Sequence, residues 1–177
     1  FITRKITRGL SRIDQNLEKC LFVGNIDSKR DWGHAKDYVE MQWRMLQQDK
    51  PEDYVISSGR QASVRDFIEL SAKELGWNKG SGDNHKSIIW EGKGLEEIGR
   101  RQDNGEIVIR IDKRYFRPTE VDSLLGDSKQ AHLKLGWKPS ITLEELVKEM
   151  IEFDLKEARK EFLLLKKGYK TYSPNSI

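Results

Sequence analysis

Apolar positions recur first at helical spacing. Ile2, Ile6, Leu10, Ile13 and Leu17 line one side of an opening segment whose other side carries Arg4, Lys5, Arg8 and Arg12, which predicts an amphipathic helix. Cys20–Val23 is a short apolar run closed by Gly24-Asn25 and predicts a buried strand with a turn at its end. Between Gly33 and Asp49 helical spacing returns at Ala35, Tyr38, Val39, Trp43 and Leu46. Tyr54–Ile56 reads as another short strand, leaving through Ser57-Ser58-Gly59. Ser63-Val64-Arg65-Asp66 has the form of a capping box and predicts a helix to about Leu75, stopped by Gly76. Residues 78–84 are rich in Gly, Lys, Ser and Asp and read as a flexible loop or a segment that orders on binding. Ser87–Glu91 and Glu106–Asp112 are strand-like, the second with clean alternation behind the tight-turn pair Asn104-Gly105. Gly126–Ser128 opens a short helix ended by Gly136, and the capping box Thr142–Glu145 begins the longest one. With about four short strands scattered among helices, the class is α/β or α+β, and the sheet looks like the finishing half of a larger one.

Composition narrows the partners. Charged residues make up 34% of the 177, against about 25% in ordinary domains. The 32 basic and 29 acidic groups nearly cancel, to +3, so bulk charge argues for a mixed surface and against a nucleic-acid partner. No apolar run approaches the roughly 18 residues of a membrane span, so no membrane partner is expected. A single cysteine, Cys20, excludes an intrachain disulfide and a cysteine-built zinc site. It fits a reducing compartment, and a cytoplasmic location is expected. His34, His85 and His132 lie without ligand-like spacing, so no metal site is expected. The chain opens on Phe1, and the expectation is a piece of a longer protein.

Three stretches hold candidate chemistry, each with a plain alternative. In Gly24–Tyr38, a turn after a buried strand places Lys29 and Arg30 just before a helix N-terminus near Gly33 or His34. A guanidinium fork beside a free helix N-terminus would clamp a diphosphate; a solvated salt-bridge turn is the other reading. Asp31 and Trp32 would orient that loop by pairing and packing. In Arg114–Glu120, Pro118 fixes the backbone, so Arg117 suits an anionic phosphate and Glu120 suits ribose hydroxyls; a purely structural bend is the alternative. The basic helix start at Phe1–Lys5 faces the same anion or is a solvated face. Gly80-Ser81-Gly82-Asp83-Asn84-His85 approaches a dinucleotide fingerprint, but no strand precedes it and a loop is the better reading.

Taken together, these stretches resemble the GDP-mannose 4,6-dehydratase family, a branch of the extended short-chain dehydrogenase/reductases. The match runs through Phe1–Ile6, through Gly24–Ala35 with Ile26 and Ser28 as mild changes, and through Asp53–Ile56 and Ser63–Phe67. It continues through Tyr115–Val121 and Leu135–Pro139. The resemblance implies the C-terminal part of an NADP-binding, Rossmann-type enzyme. Residues 1–177 would then be the sugar-nucleotide-binding portion with the last sheet elements, and the N-terminal NADP domain would be absent. The implied parent is a lyase: NADP takes hydride from C4 of the mannose ring, water leaves across C5 and C6, and hydride returns to C6. The product, GDP-4-keto-6-deoxymannose, leads to GDP-fucose and GDP-rhamnose. By the same resemblance, Lys5 and Arg30 contact the phosphates or base edge, Arg117 the diphosphate and Glu120 the ribose. The family's Thr-x-Glu and Tyr-x-x-x-Lys catalytic pairs do not fall in these residues; Thr142-x-Glu144 belongs to the capping box. Family members are commonly dimers or tetramers. Two alternatives stay open: the related GDP-4-keto-6-deoxymannose reductase, and a non-catalytic GDP-sugar-binding or assembly module.

Overall fold

The computed structural model describes residues 2–79 and 86–171; the glycine-rich stretch from Gly80 to His85 lies outside them. The elements in chain order are α1 (Ile2–Asp14), β1 (Leu21–Val23), β2 (Lys29–Asp31), α2 (Ala35–Leu46), β3 (Gln61–Ser63) and α3 (Val64–Glu74). They continue with β4 (Ile88–Glu91), a short 3-10 turn, β5 (Ile98–Arg101), β6 (Ile107–Ile111), α4 (Lys129–Leu135) and α5 (Leu143–Lys166).

A four-stranded mixed sheet has the order β1-β6-β5-β4, with β1 parallel to β6 and the other neighbours antiparallel. β2 and β3 form a separate antiparallel pair. Ile6 and Leu10 of α1, Phe67 and Ile68 of α3, and Val147 and Ile151 of α5 share one core with Leu21, Val23, Ile88, Val108 and Ile109 of the sheet. Each such side chain contributes roughly 1.5–3 kcal/mol on burial. Close contact between layers depends on Gly9, where an added Cβ would lie 2.9 Å from Leu21 Cδ1. Glu69 of α3 ties the helix to the sheet by accepting from Ser87 N, Ile88 N and the Trp90 indole.

Both capping boxes form as the sequence predicts, Ser63 with Asp66 and Thr142 with Glu145. The basic side of α1 is solvated only in part, with Arg4 exposed and Arg12 buried. Arg4 pairs with the buried Asp154 at 2.9 Å, and Arg12 is itself buried against Glu18 and Glu161. Burial raises the Asp154 pKa, while the Thr7 hydroxyl (2.6 Å) and Arg4 act to lower it.

One sequence expectation changes. Tyr54–Ile56 forms no strand, because nothing pairs with it; Tyr54 and Ile56 pack instead beside the cluster of Met41, Ala131 and Trp137. Helix α2 docks on that cluster through Tyr38, Met41 and Met45, and Val39, Trp43 and Leu46 are exposed.

Candidate functional site

The parallel strands β1 and β6 end side by side, Val23 opposite Ile111, and Asp112 N donates to Val23 O at 2.8 Å. Ligands of α/β sheets bind outside the carboxyl ends of such strands. The loops that leave the two strands cross at once. Gly24 lies against the Tyr115 backbone, and the Asn25 amide pairs with both backbone groups of Arg117. Between these loops is a cleft of about 580 Å³ lined by Gly24, Asn25, Lys29, Gln61, Phe116 and Asp122.

Three of the four candidate residues come together beside this cleft. Arg30 sits on β2, and its guanidinium donates to the Val121 and Lys29 carbonyls at 2.7 Å and to Glu120 Oε1 at 2.5 Å. Arg117 approaches the other Glu120 oxygen at 3.9 Å. One carboxylate therefore stands between two guanidinium groups, and the trio keeps a net positive charge. Arg117 extends into solvent, its side chain 78% exposed. Lys5 is set apart from the trio but joined to the same segment, with Nζ 3.3 Å from the centroid of the Tyr115 ring. Burial lowers its pKa; Asp112 opposes that shift and Arg114 adds to it. The segment itself is stitched down. Lys29 N donates to Asp122 O, and Gln61 Nε2 donates to Ser123 Oγ at 2.7 Å.

The helix N-terminus expected to lie free beside Arg30 is already occupied. His34 Nδ1 accepts from Lys36 N at 3.0 Å, and Asp37 puts a carboxylate in the first turn of α2. Asp31 and Trp32 do orient the loop. Asp31 accepts from Ser58 N and Gly59 N, and Trp32 packs on Phe67 while donating to Ala62 O. Asn25 and Tyr115 were not singled out from the sequence. The pair Gly24-Asn25 carries a signal only as a turn, and Tyr115 only as a neighbour of Arg117.

Comparison with known proteins places this geometry. Residues 1–150 match the family model described as GDP-mannose 4,6 dehydratase. The chain belongs to the GDP-mannose 4,6-dehydratase family. It is 55% identical over 172 residues to a GDP-mannose 4,6-dehydratase of Vibrio cholerae, covering 96% of this chain and 46% of that protein. It is 47% identical over 159 residues to the Homo sapiens GDP-mannose 4,6 dehydratase, covering 90% and 40% respectively. The chain thus spans less than half the length of these relatives, 46% of one and 40% of the other. Among solved structures, RMD from Pseudomonas aeruginosa, complexed with NADPH, superposes with a TM-score of 0.66 at 23% identity, over 89% of this chain and 43% of that one. A dTDP-glucose 4,6-dehydratase from Bacillus anthracis, in complex with NAD, gives 0.56 at 15%, over 86% and 39%. This dehydratase-family chain therefore shares its α/β fold with part of each of these enzymes.

Rossmann-type folds carry a nicotinamide dinucleotide on a strand, a glycine turn and an open helix N-terminus. The described residues do not fit that group. The junction between β3 and α3 is closed by the Ser63–Asp66 capping box, and α5 begins on Thr142 with Glu145 folded back onto it. A carboxylate at each of these N-termini repels a pyrophosphate. Nor do the described residues hold a group of three His, Cys, Asp or Glu side chains placed to bind a metal ion.

Proposed function

We propose that this chain holds the GDP end of GDP-mannose in an enzyme that converts it to GDP-4-keto-6-deoxymannose. The observation that carries the proposal is Glu120 between Arg30 and Arg117 beside the carboxyl ends of β1 and β6. In this reading Arg117 meets the diphosphate with a planar donor fork, and Arg30 meets it from the other side with the N–H groups it does not give to Lys29, Val121 and Glu120. Glu120, its charge shared with the two arginines, accepts from the ribose hydroxyls. Lys5, held over the Tyr115 ring, contributes a further cation to the phosphates or base edge. The chain is the sugar-nucleotide-binding, C-terminal portion, and NADP is held by a Rossmann domain outside these residues. NADP supplies the hydride acceptor and donor when bound. This portion fixes the nucleotide end so that the hexose ring is presented to that cofactor, and positioning of this kind lowers a barrier by several kcal/mol. The enzyme works in the reducing cytoplasm, where Cys20 stays a thiol, and assembles as a dimer or tetramer.

The test is GDP titration of Arg30→Ala and Arg117→Ala in the complete enzyme, with unchanged melting temperature as control. Loss of a charge-assisted contact to a desolvated anion costs about 2–4 kcal/mol, roughly 30- to 1,000-fold in affinity. Solvated surface arginines would cost less than about 1 kcal/mol. NADP affinity is expected to stay unchanged. GDP binding at wild-type strength in both variants overturns the assignment.

A further inference from the structure

We infer that Asn25 is a positioning residue for the Arg117–Glu120 turn. The inference rests on the reading of Arg117 as a diphosphate ligand. Arg117 has little to hold its side chain: it is 78% exposed and its one ion-pair contact is a long 3.9 Å. What is fixed is its backbone. Asn25 Nδ2 donates to Arg117 O at 3.0 Å, and Arg117 N donates to Asn25 Oδ1 at 2.8 Å. One amide side chain thus takes both backbone groups of one residue, as a neighbouring strand would. The same Arg117 carbonyl accepts from Glu120 N at 3.3 Å and closes a turn with Pro118 at its second position. Asn25 therefore anchors the first residue of the turn, while Arg30 holds the last through Glu120 and the following Val121 carbonyl. Gly24 completes the seat, because any Cβ there would strike the Tyr115 carbonyl. Without the amide, Arg117 keeps its charge but loses the fixed root from which the guanidinium reaches.

The test is a double-mutant cycle on GDP affinity in the complete enzyme, using Asn25→Ala, Arg117→Ala and the pair. It is joined by hydrogen exchange at the Arg117 N–H without ligand. Asn25→Ala is expected to weaken GDP about tenfold and to speed that exchange, in keeping with two ordered hydrogen bonds lost. In the Arg117→Ala background it is expected to change GDP affinity no further, since contacting residues are not additive. Asn25→Asp keeps the size but sets an oxygen against the Arg117 carbonyl; it is expected to behave like Asn25→Ala and serves if the alanine variant fails to fold. Fast exchange at the wild-type Arg117 N–H, or additive losses in the cycle, would overturn the inference. If Arg117→Ala weakens GDP and the Asn25 variants do not, the positioning role falls and the ligand role of Arg117 stands. Wild-type affinity in Arg117→Ala removes both.

Discussion

Gly24 stands where the loop after β1 crosses the loop after β6, and a Cβ built there would lie 2.0 Å from the Tyr115 oxygen and 2.5 Å from its carbon. Both are backbone atoms of the segment that carries Arg117, so the clash cannot be relieved by turning a side chain. Gly24→Ala is expected to destabilise the fold by about 1–3 kcal/mol, the usual cost of overpacking. It is also expected to weaken GDP binding, because the Tyr115–Arg117 segment must shift. Thermal melts and GDP titration check this, and an alanine variant with wild-type values in both would show that the two loops separate freely. At this scale the sequence is informative about chemistry and poor about contact. Arg30, Arg117 and Glu120 are legible as candidates from residue type and from the stiffening by Pro118. Their meeting is not, since Arg30 and Glu120 are 90 residues apart and join only when β2 is laid beside the loop after β6. Asn25 is less legible still, because an amide that bonds to backbone leaves no mark beyond the turn it occupies.

The first turn of α2 shows how elements are fastened to one another. Asp37 accepts from Ser140 Oγ at 2.7 Å, from Ser140 N and from Ile141 N, while its carbonyl accepts from the Trp137 indole at 2.9 Å. One residue thereby joins α2 to the link between α4 and α5. Burial alone would raise its pKa, but the hydrogen bonds from Ile141 and Ser140, with His34 nearby, hold it below the ordinary value. A carboxylate whose folded pKa is depressed adds stability that is fully present above its unfolded pKa, near 3.9. That stability fades as pH falls through the lower folded value. Asp37→Asn is therefore expected to lower stability near neutral pH by about 2 kcal/mol. The gap between variant and wild type is expected to close below about pH 4, read from melting curves across pH. A gap independent of pH would mean that the carboxylate charge plays no part. Elements were legible where a local pattern was strong, as in α1 with its periodicity and in α3 and α5 with their capping boxes. β2 and β3 are three-residue polar strands that exist because they pair with each other. β5 was hidden by its sequence Ile98-Gly99-Arg100-Arg101, in which Gly99 admits Ile88 and Ile109 while Arg101 lies over the Trp77 ring at 4.2 Å.

The sheet order β1-β6-β5-β4 sets the scale of the whole molecule, and it could not be read from the sequence because its parallel neighbours β1 and β6 lie far apart along the chain. What the sequence did suggest was a sheet short of strands. β1 has a hydrogen-bonded neighbour on one side only among the described strands, yet Leu21 and Val23 are buried and its pairing with β6 is parallel. An edge strand presents a row of unpaired N–H and C=O groups, a template for a further strand. Under the proposed function, the free edge of β1 is expected to accept a strand from an NADP-binding half, which would set the cofactor beside the cleft between the loops after β1 and β6. It follows that residues 1–177, purified alone, are expected to bind GDP weakly, to bind no NADP and to form no GDP-4-keto-6-deoxymannose. Co-production with the remaining half of a family member is expected to restore turnover. Val23 turns its backbone toward β6, so the donor on the free edge belongs to Phe22. Phe22→Pro, which removes that donor, is expected to prevent the rescue. Activity assays on the chain alone, on the reconstituted pair and on the proline variant decide the matter. Turnover by the chain alone would place the chemistry within these residues, and rescue unaffected by the proline would mean that the two halves join elsewhere than at β1.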